Sequence, residues 1–279
     1  MSKHLKTHAP FPAFLVFFLV LLLLLSSVKS ESLSFNFPNF GQAQDLGSLR
    51  FLGDARPLSG VIQLTRRDEI NGTVTVQLKS VGRVVYIPRV HLWDKSTGKH
   101  ANFETEFTFV VDSAGSQIHA DGLSFFIIPS NDDPIIPKNS FGGFLGLFNP
   151  EIAFNEAKNQ IVAIEFDSFG NEWDPIPTAI APHIGIDINS IESKEHKDWP
   201  INSVPERSIA KAIISYNSNA KELRASVSYP NIQIQPTVVS QNIDLSVILP
   251  EWVRIGFSGA TGLVVETHDI LSWSFNSLI

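Results

Sequence analysis

The chain has no cysteine, and its single methionine is Met1. Disulfide staples, cysteine-ligated zinc, iron–sulfur clusters and thiol catalysis are therefore excluded. Positive charge is also scarce: 21 Lys and Arg stand against 28 Asp and Glu, a formal charge of −7. That balance disfavours nucleic acid and anionic membrane surfaces as partners. Helical periodicity is thin. The best window, Asn202–Tyr216, does not hold a 3.6-residue spacing, and only Leu245–Pro250 has room for a short helical turn before its proline. Neither a G-x-S-x-G segment nor a phosphate-binding loop is present. One long apolar run exists, Phe14–Leu25, with no second of comparable length.

That run follows Lys3, His4 and Lys6 and precedes Ser26, Ser27 and Ser30. It is shorter than the roughly 20 apolar residues a bilayer span requires. Residues 1–30 thus read as a secretory signal peptide cut near Ser30, and no membrane insertion is expected of the mature protein. Loss of three leader lysines takes the formal charge to −10. Residues 31–279, about 249 in all, are a size that all-β sandwiches use as one domain. A secreted chain without disulfides depends on its core, on oligomerisation or on metal ions. Asn71-Gly72-Thr73 is an N-glycosylation sequon in a turn-like setting, and Asn71 is expected to carry a glycan.

What is abundant is two-residue alternation. Leu33–Phe37 (LSFNF), Val74–Leu78, Phe103–Val111 (FETEFTFVV), Ala225–Tyr229, Trp252–Phe257 and Leu271–Phe275 (LSWSF) alternate apolar and polar residues, with Gly, Pro, Asn and Asp in the gaps. The 21 phenylalanines suit strands. The expected fold is one all-β domain, a jelly-roll β-sandwich of two packed sheets.

The chemistry-bearing residues concentrate in V-A-I-E-F-D-S-F-G-N-E-W-D-P and the following H-I-G-I-D. Glu165 and Asp167 are two apart, so on a strand they leave the same face, where two acids repel unless a cation lies between them. Asn171 and Asp174 can turn back from the loop, and His183 adds an imidazole. Oxygen donors suit Ca²⁺, and carboxylates with one imidazole suit a first-row ion such as Mn²⁺. The donor types exceed one ion's needs, which suggests two ions sharing carboxylates. Read instead as a secreted glycosidase, Glu165 and Asp167 could form a retaining acid–nucleophile pair; the next residue on that face is Phe169, so no third acid extends the row. Three further segments are weak alone. Asp121, before Gly122 at the head of an apolar strand, fits an ordinary turn or a hydroxyl acceptor. The glycines of Phe141–Phe148 permit a tight turn or close backbone approach to a ligand. The loop Ala260–Asp269 lies between the last two strands, with His268 expected as a surface or capping residue.

Taken in order, these segments resemble the legume lectins along essentially the whole mature chain. S-L-S-F-N-F-P-N-F, H-L-W-D-K-S-T-G-K-H-A-N-F-E-T-E-F-T-F-V-V, A-D-G-L-S-F-F, G-G-F-L-G-L-F, the acidic segment, H-I-G-I-D-I-N-S-I and L-S-W-S-F are similar to that family's signature segments. The resemblance implies a non-catalytic sugar-binding protein holding one Mn²⁺ and one Ca²⁺ beside a shallow sugar site. By position, Glu165, Asp167, Asp174 and His183 would hold the transition metal. Asp167, the Phe169 carbonyl, Asn171 and Asp174 would hold calcium, and Ser193 would touch a metal-bound water. Asp121, Asn171 and the Gly143 N–H would bind sugar hydroxyls, Phe169 would stack on the ring, and Leu263 and Val264 would line the site. A cis Ala120–Asp121 peptide is also implied. Eight residues separate Asp174 from His183, about twice the family's usual number; a longer loop can bulge outward and leave His183 within reach. The short 260–269 loop resembles those of mannose/glucose-binding members. Glycans and glycoproteins are the implied partners, a homodimer or homotetramer the implied assembly, and a secreted or vacuolar destination the implied route. A relative that has lost sugar binding and serves in defence or storage would lack metal ligands or the sugar loop, and both are present here.

Overall fold

The longest clear alternation, Asn102–Asp112, buries Phe103, Thr105, Phe107, Phe109 and Val111 and turns the residues between them outward. Phe107 meets Phe125, Phe166 and Phe257 from the facing sheet. Each such ring removed from water contributes roughly 1.5–3 kcal/mol, so the phenylalanine-rich strands are what hold the two sheets face to face. The computed structural model describes residues 32–279 apart from 42–44, 71–72, 131–132, 177 and 179–180. The leader (residues 1–30) and the sequon residue Asn71 lie outside the described residues.

One sheet runs, in spatial order, Thr237–Asn242, Glu222–Ser228, Ala210–Asn217, Asn102–Asp112, Thr267–Leu278, Val61–Gln63 and Arg56–Leu58, with Ser32–Phe37 also pairing the strand Thr267–Leu278. The other, the site sheet, runs Glu195–Asp198, His183–Ile188, Val162–Asp167, Gly122–Pro129, Trp252–Ala260, Val81–Tyr86 and Leu49–Gly53. The pairings are antiparallel; strands consecutive in sequence pair at one side of each sheet, and pairings between strands far apart in sequence, Asn102–Asp112 with Thr267–Leu278 and Gly122–Pro129 with Trp252–Ala260, join the rest as the expected jelly roll requires. Among the described residues no helix is long and apolar enough to cross a membrane. The expected turn before Pro250 is the short helix Leu245–Ile248, capped by Asp244. Asn202–Tyr216 instead divides between the 3₁₀ turn Pro200–Ser203 and the strand Ala210–Asn217.

The site sheet is covered on both faces, which is why Val162–Asp167 is buried throughout. Val162, Ile164 and Phe166 point into the main core. Ala163 points the other way, into a second small core with Phe126, Leu145, Leu147 and Phe148 beneath the Phe141–Phe148 loop. Strand alternation therefore sends Glu165 and Asp167 to the loop-covered outer face. Arg83 fastens that loop: its guanidinium donates to the carbonyls of Gly146 (2.6 Å), Leu147 (3.2 Å) and Ile135 (2.8 Å) while lying over Phe126.

Candidate functional site

Strand register assembles the acidic cluster. Asp167 is opposite His183 on one neighbour and Gly122 on the other; Glu165 is opposite Gly185 and Ser124. Directly opposed residues share a face, so His183 and both acids converge. Ligand atoms from Glu165, Asp167 and His183 lie within 4.8 Å of one another, and His183 Nε2 is 3.0 Å from Glu165 Oε1. A Cβ at Gly185 would collide with Glu165 and Ser193, so glycine is what lets the cluster close. Of the residues described between Asp174 and His183, Pro175, Ile176 and Thr178 are exposed, and the Thr178 carbonyl accepts from Gly170 N at 3.2 Å. His183 keeps its strand position regardless.

Electrostatically the cluster is short of positive charge. Burial, then repulsion from Asp174 and Glu165, pushes Asp167 well above the usual carboxylate range. Burial and Glu165 push Asp174 up to about 7. For His183, burial works against the charged ring, but the hydrogen bond to Glu165 and the charges of Glu165 and Asp174 raise it overall. Asp167 Oδ2 and Asn171 Oδ1 are buried without a hydrogen-bond partner, while Asn171 N donates to Asp174 Oδ2. Several oxygen donors, one imidazole and orphaned lone pairs fit divalent cations.

Sequence reasoning missed one member, Asp187. It is fully buried, sits 2.9 Å from Ser193 Oγ, and is pushed well above the ordinary range by burial and the charge of Glu165. Ser193 Oγ also donates to Glu165. One hydroxyl has one proton, so Ser193 satisfies only one of the two carboxylates at a time. The signal was available: Asp187 is four residues beyond His183, an even offset that puts both on one strand face.

A depression of about 300 Å³ lies over this cluster. It is lined by all six expected sugar-site residues, Asp121, Gly143, Phe169, Asn171, Leu263 and Val264, together with Phe141, Phe144 and Gly262, which sequence reasoning did not single out. Asp121 is its one acid among the described residues. Burial, then Glu266 and Asp174, pushes Asp121 up to about 8, and its Oδ2 has no partner. Gly143 packs so closely on Asn171 that a Cβ would collide with the amide. Phe144 stacks on Trp173 with ring centroids 5.0 Å apart, and Leu263 is 80 % exposed at the rim. The Ala120–Asp121 peptide bond is cis.

Behind Asp121 lies a second buried acid that sequence reasoning did not identify as a site. Glu266 receives His119 Nδ1, His268 Nε2 at 2.8 Å and Ser168 Oγ at 2.6 Å. Ser168 in turn reaches the Asp121 carbonyl through its N–H (2.9 Å) and its hydroxyl (3.0 Å). Burial opposes ionisation of Glu266, but His119 and His268 win and hold it down to about 2. His268 was expected at the surface or as a cap; it is fully buried, its Nδ1 2.9 Å from Thr65 Oγ1. Glu266 and His268 are two apart at the head of the strand Thr267–Leu278, so a shared face was legible, whereas His119 comes from 147 residues away.

A jelly-roll sandwich with a shallow depression above a nest of buried acids is the architecture of a carbohydrate-binding protein of the legume-lectin type. The chain belongs to the family described as Legume lectin domain, whose model matches residues 32–278. It is similar to Lectin 8 of Medicago truncatula, 52 % identical over 99 % of this chain and 97 % of that one. It is also similar to a mannose/glucose-specific lectin of Centrolobium tomentosum, 44 % identical over 90 % of this chain and 97 % of the relative. Among solved structures, the lectin from Bauhinia forficata in complex with GalNAc matches with a TM-score of 0.76 at 40 % identity, covering 88 % of this chain and 98 % of that one.

Proposed function

We propose that this chain is a secreted, non-catalytic lectin that binds glycans of the mannose/glucose class and depends on Ca²⁺ and Mn²⁺ to do so. The observation that carries the reading is the pair of orphaned buried oxygens, Asp121 Oδ2 and Asn171 Oδ1, on two residues that line one depression. Unpaired buried acceptors cost about 1–3 kcal/mol each, and hydroxyl groups of a sugar would satisfy Asp121 while a cation would satisfy Asn171. Glu165, Asp167, Asp174 and His183 would hold the transition ion; Asp167, the Phe169 carbonyl, Asn171 and Asp174 would hold calcium. The bound ions supply the positive charge that the nest lacks. Asp121 then accepts from sugar hydroxyls, the Asn171 amide N–H and the Gly143 N–H donate, and Phe169 gives the ring's apolar face a flat surface.

Two features support the absence of catalysis. A retaining glycosidase needs two carboxyl groups about 5–5.5 Å apart flanking the bond, but Asp121 is the one acid at the depression among the described residues. Glu165 and Asp167 are each 1 % exposed and lie beneath it. The short loop 261–266 and the 44 %-identical mannose/glucose-specific relative support the sugar class. Passage through the secretory pathway to the cell exterior or vacuole, a glycan on Asn71, and a homodimer or homotetramer gaining avidity on cell-surface glycans complete the proposal.

A glycan array probed with the mature protein tests it. Binding to mannose- and glucose-terminated glycans, absent in Asp121→Ala and in Asn171→Ala with unchanged circular dichroism, is the expected result. Retained binding in either variant contradicts the site assignment, and a galactose-only profile contradicts the sugar class.

A further inference from the structure

The depression is poor in charge. Asp121 is its one acid among the described residues, and neither lysine nor arginine lines it. A cation is nevertheless held directly beside it. Lys79 is exposed, and its ammonium lies 4.8 Å from the centre of the Phe141 ring. Phe141 is itself a wall of the depression, so the charge and the site share one side chain.

Backbone contacts set this position. Lys79 N donates to the Gly262 carbonyl at 3.0 Å, and Thr261 N donates to the Ser80 carbonyl at 2.9 Å. Thr261 Oγ1 accepts from Ser80 N at 2.9 Å and donates to the Gln77 carbonyl at 2.7 Å. Four hydrogen bonds thus fasten residues 77–80 to Thr261 and Gly262. Gly262 lines the depression, so Lys79 is tied to the site by its main chain as well as by the ring under its ammonium.

The ammonium is uncommitted. Among the described residues no acid pairs with Lys79, in a chain with 28 acids against 21 Lys and Arg. An aromatic face orients a lysine without consuming its three N–H donors. A placed, unpaired cation at the rim of a sugar site is suited to a negative group on the sugar. A negative group seated over Asp121 would meet an acid instead. The charge therefore projects past Phe141, from the seated sugar or from the residue joined to it.

We propose that Lys79 selects glycans carrying a negative substituent, a sulfate, phosphate or carboxylate, next to the seated sugar. This rests on the lectin reading and names the ligand class within it. The test is a glycan array printed in matched pairs. Mannose-, glucose- and galactose-terminated glycans are each presented neutral and with one added sulfate, phosphate or glucuronic acid. Half-saturation is measured for wild type, Lys79→Gln and Lys79→Arg with Ca²⁺ and Mn²⁺ present. Expected is an anionic member that wild type binds about 3–10-fold more tightly than its neutral parent, between the effect of an exposed ion pair and that of a charge-assisted hydrogen bond. The arm that shows it identifies the anion. The preference should vanish in Lys79→Gln, survive in Lys79→Arg, which keeps a charge over the ring, and shrink in about 0.5 M NaCl. Neutral binding should stay within about twofold in all three proteins. Neutral glycans bound with no anionic preference, or a preference that Lys79→Gln leaves unchanged, overturn the proposal alone. Binding of no glycan, neutral or anionic, overturns the lectin reading and this one with it.

Discussion

The two buried acid clusters of this molecule lie on either side of Asp121 and behave in opposite ways. Around Glu266, one acid meets two histidines and a serine, and its pKa falls to about 2. Around Glu165, the acids outnumber the single histidine; Asp174 rises to about 7 and Asp167 rises well above the ordinary range. Burial is nearly complete in both: Glu266 is 0 % exposed and Glu165 and Asp167 are each 1 % exposed. What differs is the count of histidine partners, two against one. Desolvation raises the cost of every buried carboxylate, and only a paired partner offsets it. The Glu266 cluster is closed by the protein's own side chains, whereas the Glu165 cluster has one imidazole against several acids, an imbalance that the proposed cations would offset.

The largest expected effect follows from that imbalance. Chelation should lower the stability of the protein by about 5–8 kcal/mol relative to two ions each supplied at 100–1,000 times its Kd, a fall in Tm of about 20 °C, read by calorimetry in matched buffers. If the Glu266 cluster is self-sufficient, a Glu266→Gln variant should show the same ion-dependent gain; a gain that vanishes in the variant would merge the two clusters into one unit.

Glu266→Gln should itself cost about 3 kcal/mol in the ion-loaded protein, because it leaves His119 facing a neutral amide in the interior. Urea unfolding measures this. The pH profile sharpens it. A carboxylate whose folded pKa is depressed from 4.5 to about 2 contributes stability that is complete above about pH 4.5 and drains away toward pH 2. His119 is raised above 6.5: burial opposes the charge, but the hydrogen bond to Glu266 and the charge behind it outweigh burial. Its contribution is complete below pH 6.5 and is lost as pH rises through the folded value. The pair is thus most stabilising between about pH 4.5 and 6.5, and the difference between wild type and Glu266→Gln should be greatest in that window. A flat difference across pH would contradict the pairing.

The smallest effect is expected at Asp187. Because burial already favours its neutral form, Asp187→Asn exchanges one neutral group for another that can still accept from Ser193 and should change stability by about 1 kcal/mol or less at pH 6. A loss of several kcal/mol would mean that Asp187 is ionised and belongs among the ligands.

How much of this was legible in the sequence depended on distance along the chain. Alternation in Phe103–Val111 and Leu271–Phe275 announced the sheets, because a strand's burial pattern is local. Glu165, Asp167, Asn171, Asp174 and His183 fall within nineteen positions of one another, and the segments carrying Asp121, Gly143 and Leu263 resembled a known family in fixed order. The Glu266 cluster was hidden because His119 joins it across 147 residues and because a histidine in a loop-like stretch reads as exposed.

The most direct measurement returns Ca²⁺ and Mn²⁺ stepwise to the chelated mature protein, counting bound ions by elemental analysis and glycan binding on the same samples. The expected result is uptake of about two ions per chain, with glycan binding absent at the start and rising with occupancy. Full glycan binding by the ion-free protein, or no uptake by a folded one, would contradict a nest of acids that only external cations can balance.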